Sequence, residues 1–91
     1  MIYTIEYTNK IEKDIKLAIK RGLNISLFKT VVTMLEKGEK LPTKYKLHKL
    51  KGNYQGYWEC HIQPDWLLIW EQNDTIRLIT LIRTGTHSDL F

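Results

Sequence analysis

The spacing of apolar positions along the chain is two, then helical, then two again, and that alone outlines a fold. Residues 1–7 alternate, with Ile2 and Ile5 in a β-forming stretch, which predicts a short first strand. Ile11, Ile15, Ala18 and Ile19 then recur at helical intervals, while Lys10, Lys13, Lys16 and Lys20 lie largely off that stripe. Asn9 and Glu12 have capping-box spacing, and Gly22 is placed to end the helix. A second helix is predicted over residues 25–37. Leu27, Val31, Met34 and Leu35 form its buried stripe, Phe28 and Val32 widen it, and Gly38 stops it. Two amphipathic helices joined by a few residues make a hairpin that can cover one face of a sheet.

Residues 39–53 show neither period. They carry Pro42, five lysines and His48, and predict a long basic loop, which at this length is either functional or includes a short helical turn around residues 45–49. From Tyr54 the period returns to two. Strands are predicted over residues 54–62, 66–71 and 75–83, separated by Gln63-Pro64-Asp65 and Asn73-Asp74 turns. In the last strand Ile76, Leu78, Thr80 and Ile82 should face one way, and Arg77, Ile79, Leu81 and Arg83 the other. The order strand, two helices, three-stranded antiparallel meander defines an α+β class. At 91 residues it reads as one domain, 1–91.

Composition adds little to the fold but narrows the partners. Fourteen basic against ten acidic residues leave a formal charge of +4, which favours a polyanionic or acidic partner. With Cys60 alone, neither an intrachain disulfide nor a cysteine metal cluster is expected. The polar N-terminus and short apolar runs predict a soluble, cytosolic protein with no membrane partner.

Candidate chemistry follows from the meander. The end of its first strand, the start of its second and the end of its third share one edge, so His61, Asp65, Trp66, Arg83 and His87 should gather at one rim. Imidazoles beside a carboxylate suit general acid–base catalysis near neutral pH. RNA cleavage by internal transesterification needs that pair of abilities, plus a cation such as Arg83 for the crowded phosphorane, and needs no metal or other cofactor. Each residue also has a plainer reading. His48 and His61 can be structural or surface residues, Asp65 can cap its turn, and Lys44, Lys46, Lys49 and Lys51 can be a solvated run rather than a phosphate track. Three histidines and Asp65 lack compact metal-ligand spacing, so no metal site is expected. Phe91 is either a docked terminus or a platform for a splayed base.

The stretches KYKLHKLKGNYQGYWECHIQPDWLLIW and RLITLIRTGTHSDLF resemble the YafQ-like toxins of the RelE/ParE superfamily, from bacterial type II toxin–antitoxin systems. The resemblance covers almost the whole chain. It implies the RelE/ParE-like fold and a ribosome-dependent mRNA endonuclease that cuts the codon exposed in the decoding site. It maps function onto His48, His61, Asp65, His87 and Phe91, with Arg83 and Trp66 beside them. It further implies a cognate acidic antitoxin, contact with ribosomal RNA, bacterial cytoplasm, and DNA reached only through the antitoxin. Two alternatives stay open. One is a non-nucleolytic inhibitor such as the gyrase-targeting toxins of the ParE branch; the other is a non-catalytic RNA- or ribosome-binding protein.

Overall fold

The computed structural model describes residues 2–91, so Met1, at the head of the predicted first strand, lies outside the described residues. Within them the chain forms β1 (Thr4–Tyr7), α1 (Asn9–Lys20), α2 (Ile25–Glu36), β2 (His48–Lys49), β3 (Trp58–Gln63), β4 (Trp66–Asn73), β5 (Leu78–Gly85) and α3 (His87–Leu90). The strands make one five-stranded sheet in the order β1-β5-β4-β3-β2, antiparallel except for the parallel β1–β5 pair. The α+β class and the meander therefore stand.

The start of α1 differs from the spacing argument. Thr8 is the cap, its hydroxyl accepting from the Ile11 amide, and Asn9 is the first helical residue. The Thr8 hydroxyl also donates to the Leu81 carbonyl, which ties the helix start to β5. Both helices end in the same way. Gly22 and Gly38 take φ values of +80° and +69°, and the amides of Leu23 and Glu39 reach back to the carbonyls of Ala18 and Met34. This left-handed ending costs glycine little.

Ile11, Ala18, Phe28, Val31, Val32 and Leu35 bury the helical hairpin on one face of the sheet. Ile19, expected in that stripe, is 55% exposed; Leu27 and Met34 sit at the margin rather than the centre. Strand β4 explains why the sheet is stable. Trp66, Leu68 and Trp70 point into the helix-covered core, while Leu67 and Ile69 point to the opposite face. All five are buried, each large side chain contributing roughly 1.5–3 kcal/mol by leaving water.

Two departures shape the functional edge. In β5 Trp70 pairs with Leu81 but Ile69 pairs with Arg83, so Ile82 is an extra residue. The strict alternation fails there: Thr84, and not Arg83, follows Ile79 and Leu81 into the core. Ile76 and Arg77 precede the strand. The predicted basic loop is also more ordered than its period suggests. A 3₁₀ turn occupies Thr43–Tyr45, Lys46 is left-handed, and His48–Lys49 pairs with β3 as an edge strand. Residues 54–57, expected in the meander, instead close a second 3₁₀ turn before β3 begins. No helix among the described residues is long and apolar enough to cross a membrane.

Candidate active site

Register places the site on the sheet face opposite the helical hairpin. Glu59 and His61 stand two apart on β3, so they share that face, and the β2–β3 pairing sets His48 directly across from Glu59. The hairpin turn after β3 brings Asp65 to the same rim. Thr86 and Asp89 form a full capping box that starts α3 and presents His87 there.

The result is a row of rings. His48 and His61 lie 6.1 Å apart between centroids, His61 and His87 6.0 Å, and His87 and Phe91 6.0 Å. Asp65 Oδ1 accepts from the His87 backbone amide at 3.0 Å and faces its Nδ1 at 3.3 Å. That amide, followed by the imidazole, holds the Asp65 carboxyl below the usual carboxylate range. With Nδ1 turned to Asp65, Nε2 of His87 faces away from it, on a side chain that is 59% exposed. This is a group oriented by a partner and open to a substrate.

The other two imidazoles are anchored from behind. His48 Nδ1 donates to the Lys46 carbonyl at 2.7 Å, and His61 Nδ1 to the Pro64 carbonyl at 3.3 Å. Their Nε2 atoms converge on one oxygen, Glu59 Oε1, at 3.1 and 3.7 Å. Glu59 is 2% exposed, and its Oε2 has no hydrogen-bond partner among the described residues. Reading the sequence missed this carboxylate. The signal was present in its two-residue spacing from His61, but the pairing with His48 lies in the tertiary structure.

Three further predicted residues sit differently from expectation. Trp66 is 2% exposed, its indole donates to Thr84 Oγ1 at 2.9 Å, and its ring stacks near Phe28. It supports the rim from beneath and has no free face for substrate, because β4 is the central buried strand. Arg83 is not a free cation: Asp14 Oδ2 and Oδ1 accept from its Nε and Nη2 at 2.7 and 3.2 Å. Phe91 is 61% exposed, yet its amide donates to the His87 carbonyl and its ring meets Tyr54 edge-on at 5.4 Å. It is docked and exposed at once.

Tyr54, Arg21 and Asp89 are also site-building residues that linear reading did not single out. Tyr54 donates to the Leu90 carbonyl, and Arg21 clamps Asp89 at 2.6 and 3.2 Å, which drives that carboxyl far below its ordinary range. Both hold α3 in place. Lys44, Lys46, Lys49 and Lys51 are exposed; Lys44 lies over the Tyr45 ring and Lys49 over Trp58. A cleft of about 450 Å³ opens beside His61, lined in part by Lys44, Tyr45, Lys46 and Pro64. Cys60 is fully buried, and burial pushes its thiol up to about 12, so it stays an inert packing group.

The expected lack of compact metal spacing holds along the chain but not in space. His48, Glu59 and His61 offer ligand atoms all within 4.8 Å of one another, with Glu59 in place of Asp65 and His87 outside the group.

Comparison with known proteins supplies the family and its fold. A family model described as the bacterial toxin of type II toxin–antitoxin systems, YafQ, matches residues 3–91. The mRNA interferase toxin YafQ of Escherichia coli K12 is 42% identical over 88 residues, 96% of this chain and 94% of that protein. The toxin in the crystal structure of the E. coli DinJ–YafQ toxin–antitoxin complex superposes with a TM-score of 0.90 at 40% identity, covering 100% of this chain and 99% of that one. A metal-bound toxin from Helicobacter pylori superposes equally well, at 0.90 and 40% identity, with all of both chains covered. A match over nearly every residue, on the fold whose rim carries these histidines, makes this chain a member of the YafQ family of type II toxin–antitoxin toxins.

Proposed function

We propose that this chain is an endoribonuclease that cuts mRNA in the decoding site of translating ribosomes. One observation carries the reading: three imidazoles and Phe91 stand in a row at about 6 Å intervals, with Asp65 fixing His87 and Glu59 behind His48 and His61. A phosphodiester seated between His61 and His87 has a proton acceptor on one side and a donor on the other. The 2'-hydroxyl loses its proton to one imidazole and attacks phosphorus. The 5'-oxygen leaves with a proton from the other, and a 2',3'-cyclic phosphate remains. Phe91 stacks a base beside the cut, an arrangement single-stranded RNA accepts readily. Lys44, Lys46, Lys49 and Lys51 draw ribosomal RNA and the mRNA backbone to this face. Arg83 contributes charge only through the N–H groups that Asp14 leaves open.

The family supports a cognate antitoxin here as well, as DinJ accompanies YafQ in E. coli. An acidic segment that covers the lysines and the row of rings would neutralise the toxin in the bacterial cytoplasm, and any contact with DNA would run through that antitoxin.

Mapping mRNA ends after brief induction tests the reading. Translation-dependent breaks that vanish in His87→Ala and Asp65→Ala are expected. Unchanged breaks and growth arrest in both variants would reject the site, and supercoiling defects without breaks would reject the activity.

A further inference from the structure

We infer that the cleft beside His61 is a nucleotide subsite, in which Tyr45 stacks one base of the mRNA next to the cut and Gln63 reads its edge, so that the cleft sets a sequence preference. This rests on the endonuclease reading of the rim. It adds a second base-holding position, on the other side of the cut from Phe91.

Position comes first. Phe91 follows His87 at one end of the row of rings. At the other end His61 lines the cleft, and so does Lys46, whose carbonyl accepts from His48 Nδ1. A phosphodiester seated between His61 and His87 therefore has Phe91 on one flank and the cleft on the other. Single-stranded RNA is recognised where splayed bases on either side of a bend find surfaces to stack on.

The walls match a nucleotide. Leu27, Tyr45, Ile62 and Pro64 give apolar surface, and Lys44 and Lys46 stand exposed beside it. A base has flat, largely apolar faces and its phosphates are anionic, so an aromatic wall with cations beside it fits both halves. At about 450 Å³ the cleft lies within the roughly 300–1,000 Å³ of sites that hold small organic ligands. Among the described residues no carboxylate lines it. The smaller hollow beneath α3 is different, being bordered by Asp14, Asp65 and Asp89.

Tyr45 is fixed in advance. It closes the 3₁₀ turn Thr43–Tyr45 and packs half-buried against the main core, so binding has little of the ring left to order. Lys46 follows with φ +51°, a left-handed conformation uncommon for a residue with a side chain. Its amide donates to the Thr43 carbonyl, and its own carbonyl holds His48. One turn thus fixes a wall of the cleft and an active-site imidazole together. Lys44 Nζ lies 5.1 Å from the centre of the Tyr45 ring. On its exposed, flexible stem that ammonium can turn to a phosphate and leave the ring to a base.

Stacking alone tolerates any sequence, because every base has a π-face. Discrimination needs hydrogen-bonding groups that match a base edge. Lysine only donates, whereas glutamine carries an accepting oxygen and a donating NH₂ on one side chain. Gln63 is exposed and lines the cleft, which places it to match a donor–acceptor pair on the base that Tyr45 stacks.

Two measurements test the subsite. In the first, homotrinucleotides of the four bases with 2'-methoxy groups, which lack the internal nucleophile, are titrated into the chain and followed by NMR. Signals of Tyr45 and the Gln63 side-chain amide should shift, with affinities that differ among the bases. Tyr45→Leu should weaken binding roughly 5- to 150-fold, the worth of one stacked base, and Tyr45→Phe, which keeps the ring, far less. Gln63→Ala should bring the four affinities together. Shifts confined to the histidines and Phe91, or no binding, overturn the subsite, as does a Tyr45→Leu variant that binds like wild type. Gln63 is exposed, so its variant stays informative if Tyr45→Leu does not fold. Shifts at Tyr45 and Gln63 caused by an oligoglutamate peptide, but by none of the trinucleotides, assign the cleft to an acidic protein segment and overturn the proposal. In the second, mRNA ends are mapped in a translating extract. Wild type should show a base preference beside its breaks. Gln63→Ala should flatten it at one position, on the opposite side of the cut from the position altered by Phe91→Ala. An unchanged preference, or an equal loss of cutting at every sequence, overturns the role in specificity. A wild type that never cuts translated mRNA rejects the endonuclease reading instead, while the titration still decides the subsite.

Discussion

The two faces of the central sheet carry different burdens. On one, α1 and α2 cover Trp66, Leu68, Trp70, Ile79 and Leu81 in a continuous core. On the other, Leu67, Ile69 and Leu90 form a much smaller cluster, closed by a four-residue helix and flanked by Tyr54 and Ile82. Strand β4 belongs to both, since alternate residues serve opposite faces. The contrast shows how a short chain keeps a rigid sheet while leaving reactive groups uncovered. Stability is concentrated under the helices, and the thinly covered face holds Glu59, His61 and His87 at its rim.

That division can be broken by substitution, starting with the thick face. Trp70→Ala should cost about 3–5 kcal/mol, as expected for a large buried aromatic. This is a large share of the ~5–15 kcal/mol that holds a domain together. Urea unfolding should show the loss, and activity should go with it. On the thin face the two readouts should separate. His87→Ala should lower cleavage by roughly 10²–10⁴-fold, the usual worth of a positioned proton-transfer group. Its unfolding midpoint should stay close to wild type because the side chain is mostly exposed. If both variants lost fold and activity together, the two faces would not be separate in function.

Leu90→Ala sharpens the comparison. It should cost about 2 kcal/mol, near the low end for a leucine truncation, because its cluster is small and can collapse. Cleavage should fall further than this loss explains, since α3 positions His87 and Phe91. Phe91→Ala should leave stability unchanged and reduce cleavage roughly 5- to 150-fold, matching stacking worth ~1–3 kcal/mol per base.

The smallest effect is one of pH. Asp65 and Asp89 both titrate below their ordinary range in the folded chain, through the His87 amide and the Arg21 guanidinium respectively. Unfolded aspartate titrates near ~3.9. Depressed folded values mean that the stabilisation is complete above that point and lost as pH falls through the lower folded values. Amide exchange at Leu90 and Phe91 should therefore stay slow from pH 7 to 5 and quicken only in stronger acid. Loosening of α3 between pH 7 and 5 would show that these carboxylates do not anchor it.

Much of this was legible in the chain itself. The helical stripe of Ile11, Ile15 and Ala18, the apolar run of β4 and the turn signals are local, and they gave the helical hairpin and the meander in the right order, with β3 and β5 starting later, at Trp58 and Leu78. From the meander alone, His61, Asp65 and His87 had to share a rim, because strand order and turn length leave few other arrangements. The Thr86–Asp89 capping box was also visible, although α3 was not predicted from it. The edge strand His48–Lys49 was not legible: two residues are too short to show a period, and their partners, Glu59 and Trp58, lie beyond an intervening turn.

The sequence by itself determined β1, the helical hairpin, the meander, their order and the rim, since these depend on periodicity and turn geometry over a few residues. Only the tertiary structure decided which side chains act together. A bulge at Ile82 turned Thr84 inward, and Asp14 took the guanidinium of Arg83. Cross-strand register set Glu59 between two histidines whose reactive nitrogens it faces. Those outcomes depend on register, burial and the competition for hydrogen-bond partners, which arise when distant segments meet.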